Sequence, residues 1–126
     1  MLEIKTPDFG EQPPIDAYGN GGFRIGAIRH QGSLLITPSR AVEWGPLSID
    51  DLTAQSFDGL TQDASGIELL LLGCGPRIAL IPSAIRESVR NMGMVLEPMD
   101  TGAACRTYNV LLAEKRKVAA ALIAVD

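Results

Sequence analysis

Apolar positions in the N-terminal half come in short groups broken by glycine and proline. Tyr18 to Phe23, Tyr-Gly-Asn-Gly-Gly-Phe, is dense in residues that accept positive φ and predicts a tight turn or bulge before a strand over Phe23–Arg29. Gln31-Gly32 predicts the turn into a second strand, Ser33–Thr37, so this half should open with a β-hairpin, with His30 at its turn. Pro38 and Pro46 bracket Ala41–Trp44, long enough only for one more strand or an extended connection. Ser48-Ile-Asp-Asp51 has the Ser/Thr-x-x-Asp/Glu spacing of a helix start and predicts a short helix to about Phe57.

The second half has a longer rhythm. Ile67–Leu72 is almost continuously apolar, as expected of a central strand covered on both faces, and Gly73-Cys74-Gly75-Pro76 stops it. Pro82-Ser83 opens a helix with Ile85, Val89 and Met92 on one stripe, and Gly93 ends it. Met94–Met99 reads as a strand. Asp100 or Thr101 then caps a helix whose stripe is Ala104, Tyr108, Leu111 and Leu112, and Val118–Val125 closes the chain as a strand. The strand-helix-strand-helix-strand order requires partly parallel pairing. The expected fold is α/β: a three-layer single domain with a mixed central sheet of about five strands and helices packed on it. Residues 1–14, rich in Pro, Asp, Glu and Gly, read as a flexible lead-in to a domain over 15–126.

Composition narrows the function classes. At 126 residues and 46% hydrophobic, the chain can bury a core without metal or disulfide support. Fifteen acidic against eleven basic residues give a net charge of −4, which disfavours nucleic acid as a partner. The cationic run Lys115-Arg116-Lys117 reads as complementing a helix C-terminus. The first residues lack a signal-peptide pattern and no apolar run reaches the length of a membrane span, so a cytoplasmic location is expected.

Candidate chemistry concentrates in two loops. Cys74 and Cys105 match no metal or CxxC spacing, and His30 is the sole histidine, so neither a metal site nor a complete catalytic set is predicted, and no cofactor. Gly73-Cys74-Gly75 and Asp100-Thr-Gly-Ala-Ala-Cys-Arg-Thr-Tyr-Asn109 each follow a strand of the parallel set, and such loops share the ligand-binding edge of α/β sheets. Gly73, Cys74, Gly75, Thr101, Cys105, Arg106 and Asn109 therefore form a candidate polar pocket, in which the two thiols could meet. Each member also has a plain structural reading: Thr101 as a cap, Cys105 as a small buried hydrophobe, Asn109 as a strut bonded to the Gly73-Cys74 loop. Arg77 and Arg106 either form an anion site or pair with Asp100 and Glu97. Phe23 and Trp44, placed on exposed strands, are candidate interface anchors.

Tyr18, Gly22–Ile25, Gly32–Leu35, Trp44, Leu71–Gly75, Met99–Thr101, Ala103–Asn109, Leu112, Glu114, Arg116 and Val118–Leu122 together resemble a small α/β family of unassigned biochemical function. That family contains the mitochondrial respiratory complex I assembly factor 3. The resemblance runs from about Ile15 to the C-terminus, with Ala-Ala-Cys-Arg-Thr-Tyr-Asn and Leu-Gly-Cys-Gly as its specific motifs. It implies a three-layer fold and assembly work through protein contacts, the partners being membrane-complex subunits or other assembly factors. It also implies a peripheral place at the inner face of the inner membrane, and it carries over no catalytic residue. Two functions follow: a non-enzymatic adaptor or assembly factor, or alternatively a small-molecule-binding protein or enzyme using the pocket at the sheet edge.

Overall fold

A computed structural model describes residues 12–126. The expected lead-in therefore lies, up to residue 11, outside the described residues. In its remainder, Gln12 Nε2 donates to the Tyr108 hydroxyl (2.8 Å) and to the Val118 carbonyl (3.1 Å), and the Tyr108 hydroxyl donates to the Pro13 carbonyl (3.2 Å).

The N-terminal strands form a small antiparallel sheet ordered β1 (Ile15–Gly19), β2 (Gly22–Ile25), β3 (Ile28–Gln31). This is one strand more than the expected hairpin, and the turns fall elsewhere. Gly19, Asn20 and Gly21 all take positive φ between β1 and β2, and Gly26 and Ala27 (φ 57° and 71°) form the two-residue turn between β2 and β3. Positive φ at both central positions gives the twist that adjacent antiparallel strands require. His30 consequently sits within β3, opposite Phe23, and not at a turn. Gln31-Gly32 carries the chain out of this sheet into the larger one.

The central sheet is mixed and has the order β5-β4-β8-β6-β7, with β4 (Leu34–Ile36), β5 (Ala41–Glu43), β6 (Leu69–Gly73), β7 (Val95–Met99) and β8 (Val118–Leu122). β6 runs parallel to both β7 and β8, while β4 pairs antiparallel with β5 and β8. The parallel pairs need crossovers, supplied by helices α1 (Ser83–Arg90) and α2 (Thr101–Ala113). Gly93 (φ 91°) ends α1 in the role its sequence position predicts, and Lys115 (φ 63°) does the same for α2. There the Arg116 and Lys115 amides donate to the Leu111 and Leu112 carbonyls, the paired bonds of a Schellman motif.

Strand alternation sorts the core into two layers. Leu35, Leu70, Leu72, Ala119 and Ala121 face α1 and the segment carrying Trp44, Phe57 and Leu60; Leu34, Leu71, Ala120 and Leu122 face α2 and the small sheet. The continuous apolar run of β6 has its explanation here, since both faces are covered. Small residues on β8 and on α2 (Ala104, Cys105) allow helix and sheet to approach closely.

The helix expected from Ser48 to about Phe57 is a single 3-10 turn, Ile49–Asp51. Ser48 Oγ does accept from the Asp50 amide (3.2 Å), as its spacing predicts. Beyond it, Ser56 Oγ accepts from the Thr53 amide (2.8 Å) and Thr53 Oγ1 from the Gln55 amide (3.2 Å), so side chains take the donors a helix would use.

Candidate functional site

The two sequence-distant loops do converge at the carboxyl end of the parallel strands. Asp100 caps α2 by accepting from the Ala103 amide (2.8 Å), which leaves Thr101 in the first turn with its side chain free to reach across. Thr101 Oγ1 accepts from the Gly75 amide (2.9 Å) and donates to the Ile123 carbonyl (2.7 Å), while the Thr101 amide donates to the Gly75 carbonyl (2.8 Å). The Cys74 amide donates to the Met99 carbonyl (2.8 Å) and the Ile123 amide to the Gly73 carbonyl (2.9 Å). One buried hydroxyl thus ties the ends of β6, β8 and α2. A Cβ on Gly73 would stand 2.9 Å from Thr101 Oγ1 and 3.0 Å from its Cα, so the junction has no space for a ligand. Gly73, Cys74, Gly75 and Thr101 form a closed clamp.

Cys105, Arg106 and Asn109 lie apart from that clamp, against β1. Asn109 is a strut, but its partner is the backbone of Ile15 and not the Gly73-Cys74 loop. Asn109 Oδ1 accepts from the Ile15 amide (2.8 Å) and Nδ2 donates to the Ile15 carbonyl (2.9 Å). The carboxamide so replaces a neighbouring strand at the edge of β1, which is why an otherwise poor helix former is useful there. Beside it a groove of about 330 Å3 is lined by Ile15, Asp16, Ala17, Tyr18, Cys105, Arg106 and Asn109. Arg106 Nη1 donates to the Tyr18 hydroxyl (3.4 Å), and Gly102 leaves room for that phenol: a Cβ there would be 2.6 Å from the hydroxyl oxygen. Asp16 lines the groove too, with one carboxylate oxygen accepting from the Ala27 amide (3.2 Å).

The thiols do not meet. Cys74 belongs to the core layer under α1 and Cys105 to the layer under α2, on opposite faces of the sheet. Burial raises both thiols above the ordinary value of 9.0; Cys105 is pushed up to about 12, with Arg106 offsetting only part of the desolvation. Burial therefore favours the protonated thiol at both positions at neutral pH. No cluster of three or more His, Cys, Asp or Glu with metal-holding geometry occurs among the described residues. Arg77 and Arg106 form neither expected ion pair; among the described residues the salt bridges are Arg40–Asp63 (3.0 Å) and Arg116–Glu68 (3.8 Å).

Phe23 and Trp44 are core residues, correcting the expectation that they are exposed. Phe23 points from β2 into the layer shared with α2. Trp44 stacks at a tilt on Phe57 (centroids 5.5 Å) and donates from Nε1 to the Ser56 carbonyl (2.8 Å). The β1 side of the groove, Ile15, Asp16, Ala17 and Tyr18, was not among the residues expected at a pocket; Tyr18 is its aromatic member. A single phenol beside a Gly-Asn-Gly-Gly run was the available signal, since nothing in such a turn buries an aromatic ring.

A protein of Rhodobacter capsulatus, itself uncharacterized, is 42% identical over 119 residues, 94% of this chain and 90% of that protein. The rat protein named "NADH dehydrogenase [ubiquinone] 1 alpha subcomplex assembly factor 3" is 33% identical over 122 residues; 97% of this chain is covered, and it spans 66% of the rat protein's length. The crystal structure of a Bartonella henselae protein described as an outer membrane protein superposes with a TM-score of 0.85 at 39% identity, covering 92% of this chain and 98% of that one. The Bartonella henselae structure shares this fold. Residues 15–123 match the profile described as "Protein of unknown function (DUF498/DUF598)", and the chain belongs to that family.

Proposed function

We propose that the protein is a non-enzymatic assembly factor that works through protein contacts on a membrane-bound respiratory complex, at the inner face of the membrane. The observation that carries this reading is an apolar surface left in water beside the clamp. On the loop between β6 and α1, Leu80 is 96% exposed and Ile78 64%, and Leu47 nearby is 72% exposed. Leu80 lines a cavity of about 230 Å3 together with Ile49, Leu52, Ala79, Ile81, Pro82 and Ile85, with Asp50 its single charged residue. Exposed apolar side chains beside a hollow lined mainly by aliphatic residues support a surface that a partner covers. This patch takes the place that Phe23 and Trp44 were expected to fill. The closed clamp adds support, because the residues most suggestive of a rim pocket are spent on holding the fold.

The rat relative, named as an assembly factor of NADH dehydrogenase, supports the assembly role and the choice of respiratory complex I as client. No helix among the described residues is long and apolar enough to cross a membrane, so membrane attachment through these residues would run through a partner or a surface contact. The test is a deletion strain of the organism that encodes the chain, with assembled NADH:ubiquinone oxidoreductase measured on native gels. Deletion should lower the assembled complex and the wild-type gene should restore it. An Ile78→Asp/Leu80→Asp variant with an unchanged melting curve should not. An unaltered complex in the deletion strain overturns the role; full rescue by the double variant overturns the surface.

A further inference from the structure

The groove between β1 and α2 has a chemistry the assembly reading does not use. Of its exposed polar side chains, Arg106 and Tyr18 can donate, and Asp16 is a carboxylate. Arg106 gives one N–H to the Tyr18 oxygen, so the phenol keeps its own proton for a second acceptor, and the other guanidinium N–H groups remain alongside it. Of the neighbouring acceptors, Asn109 Oδ1 takes the Ile15 amide and one Asp16 oxygen, Oδ2, takes the Ala27 amide. No carboxylate among the described residues lies within salt-bridge distance of Arg106. Tyr18, 42% exposed, is held over the groove because Gly102 has no side chain to displace it.

We infer that this groove is a carboxylate-binding site, in which Arg106 and the Tyr18 hydroxyl together donate to one carboxylate. Converging donors fit an oxyanion, and guanidinium geometry matches a carboxylate. A singly charged group is favoured over a phosphate dianion because Asp16 also lines the groove and the chain carries a net charge of −4. The volume of about 330 Å3 admits a small organic acid or a glutamate side chain from a protein. The site stands independently of the assembly role.

The experiment follows backbone amide shifts in the 15N-labelled protein during titration with succinate, N-acetylglutamate α-amide and inorganic phosphate, each at constant ionic strength against chloride. Saturable shifts at residues 15–18 and 102–109 are expected for the carboxylates. Arg106→Gln should abolish saturation, and Tyr18→Phe should weaken binding about 3–10-fold, the worth of one net hydrogen bond. Gly102→Ala should also weaken it while the protein stays folded, since the added methyl displaces only the mobile end of the phenol. Tighter binding of succinate points to a free acid, and tighter binding of the amide to a protein side chain. Non-saturating shifts, saturation that survives Arg106→Gln, or phosphate binding more tightly than either carboxylate would overturn the inference.

Discussion

The start of α2 serves two regions whose polar groups have different fates. At the clamp, Thr101 is buried, and its side-chain hydroxyl and its amide bond main-chain groups of the loop after β6 and of the segment after β8. In the groove one turn further on, Arg106 and Tyr18 sit at the water's edge, joined to each other by a long hydrogen bond of 3.4 Å. A satisfied buried network rigidifies, because losing either partner leaves an unpaired group in a medium of low dielectric. An exposed pair contributes little to stability and keeps donors available. Proximity to the carboxyl edge of a sheet is therefore insufficient to identify a ligand site; what matters is which donors and acceptors are left over.

The sharpest way to break this contrast is at the clamp. Thr101→Val should destabilise by about 2–4 kcal/mol, since the Gly75 amide and the Ile123 carbonyl both lose a buried partner, and Thr101→Ser should recover most of it. Denaturant midpoints measure both. A Thr101→Val loss no larger than that of an exposed-site substitution would mean the network is not the tie described above. Asn109→Leu should cost about 1–3 kcal/mol and speed hydrogen exchange at Ile15, while clamp amides such as Gly75 keep the exchange expected from the global loss alone.

Alkaline pH sharpens the comparison from the buried side. Folding raises the Cys105 thiol from 9.0 to about 12, so the folded state holds its proton more tightly than the unfolded state does. That stabilisation is fully present below pH 9 and is lost as pH rises from 9 toward 12. Melting temperature should fall across this window, and Cys105→Ala should make the fall shallower; Tyr108, also raised by burial, keeps part of it. An identical pH profile in the variant would show that Cys105 is not desolvated. The smallest effect is expected at the turn beside the groove. Ala27 holds φ 71°, so Ala27→Gly should stabilise by about 0.5–1 kcal/mol, readable as a small rise in melting temperature.

Much of the central layer was legible along the chain. An unbroken apolar run such as Leu69–Leu72 requires cover on both faces, and Gly93 and Asp100 bound their helices by local backbone chemistry. The convergence of Gly73–Gly75 with Thr101 was legible too, because parallel strands joined by helices place such loops on one edge. The N-terminal turns were misplaced since Gly26-Ala27 and Gln31-Gly32 are equally plausible turns locally, and only the register of Phe23 against His30 selects the first. The burial of Phe23 and Trp44 came from long-range cover that their short strands do not encode.

Periodicity, caps and glycines thus determined the order of elements and the mixed sheet, for those depend on groups within a few residues of one another. Tertiary structure alone decided that Cys74 and Cys105 face opposite layers, that Asn109 holds Ile15, and that Arg106 meets Tyr18. Hydrogen bonds and burial are settled by partners distant along the chain. A residue type states what it can donate or accept, and only packing states what it finds.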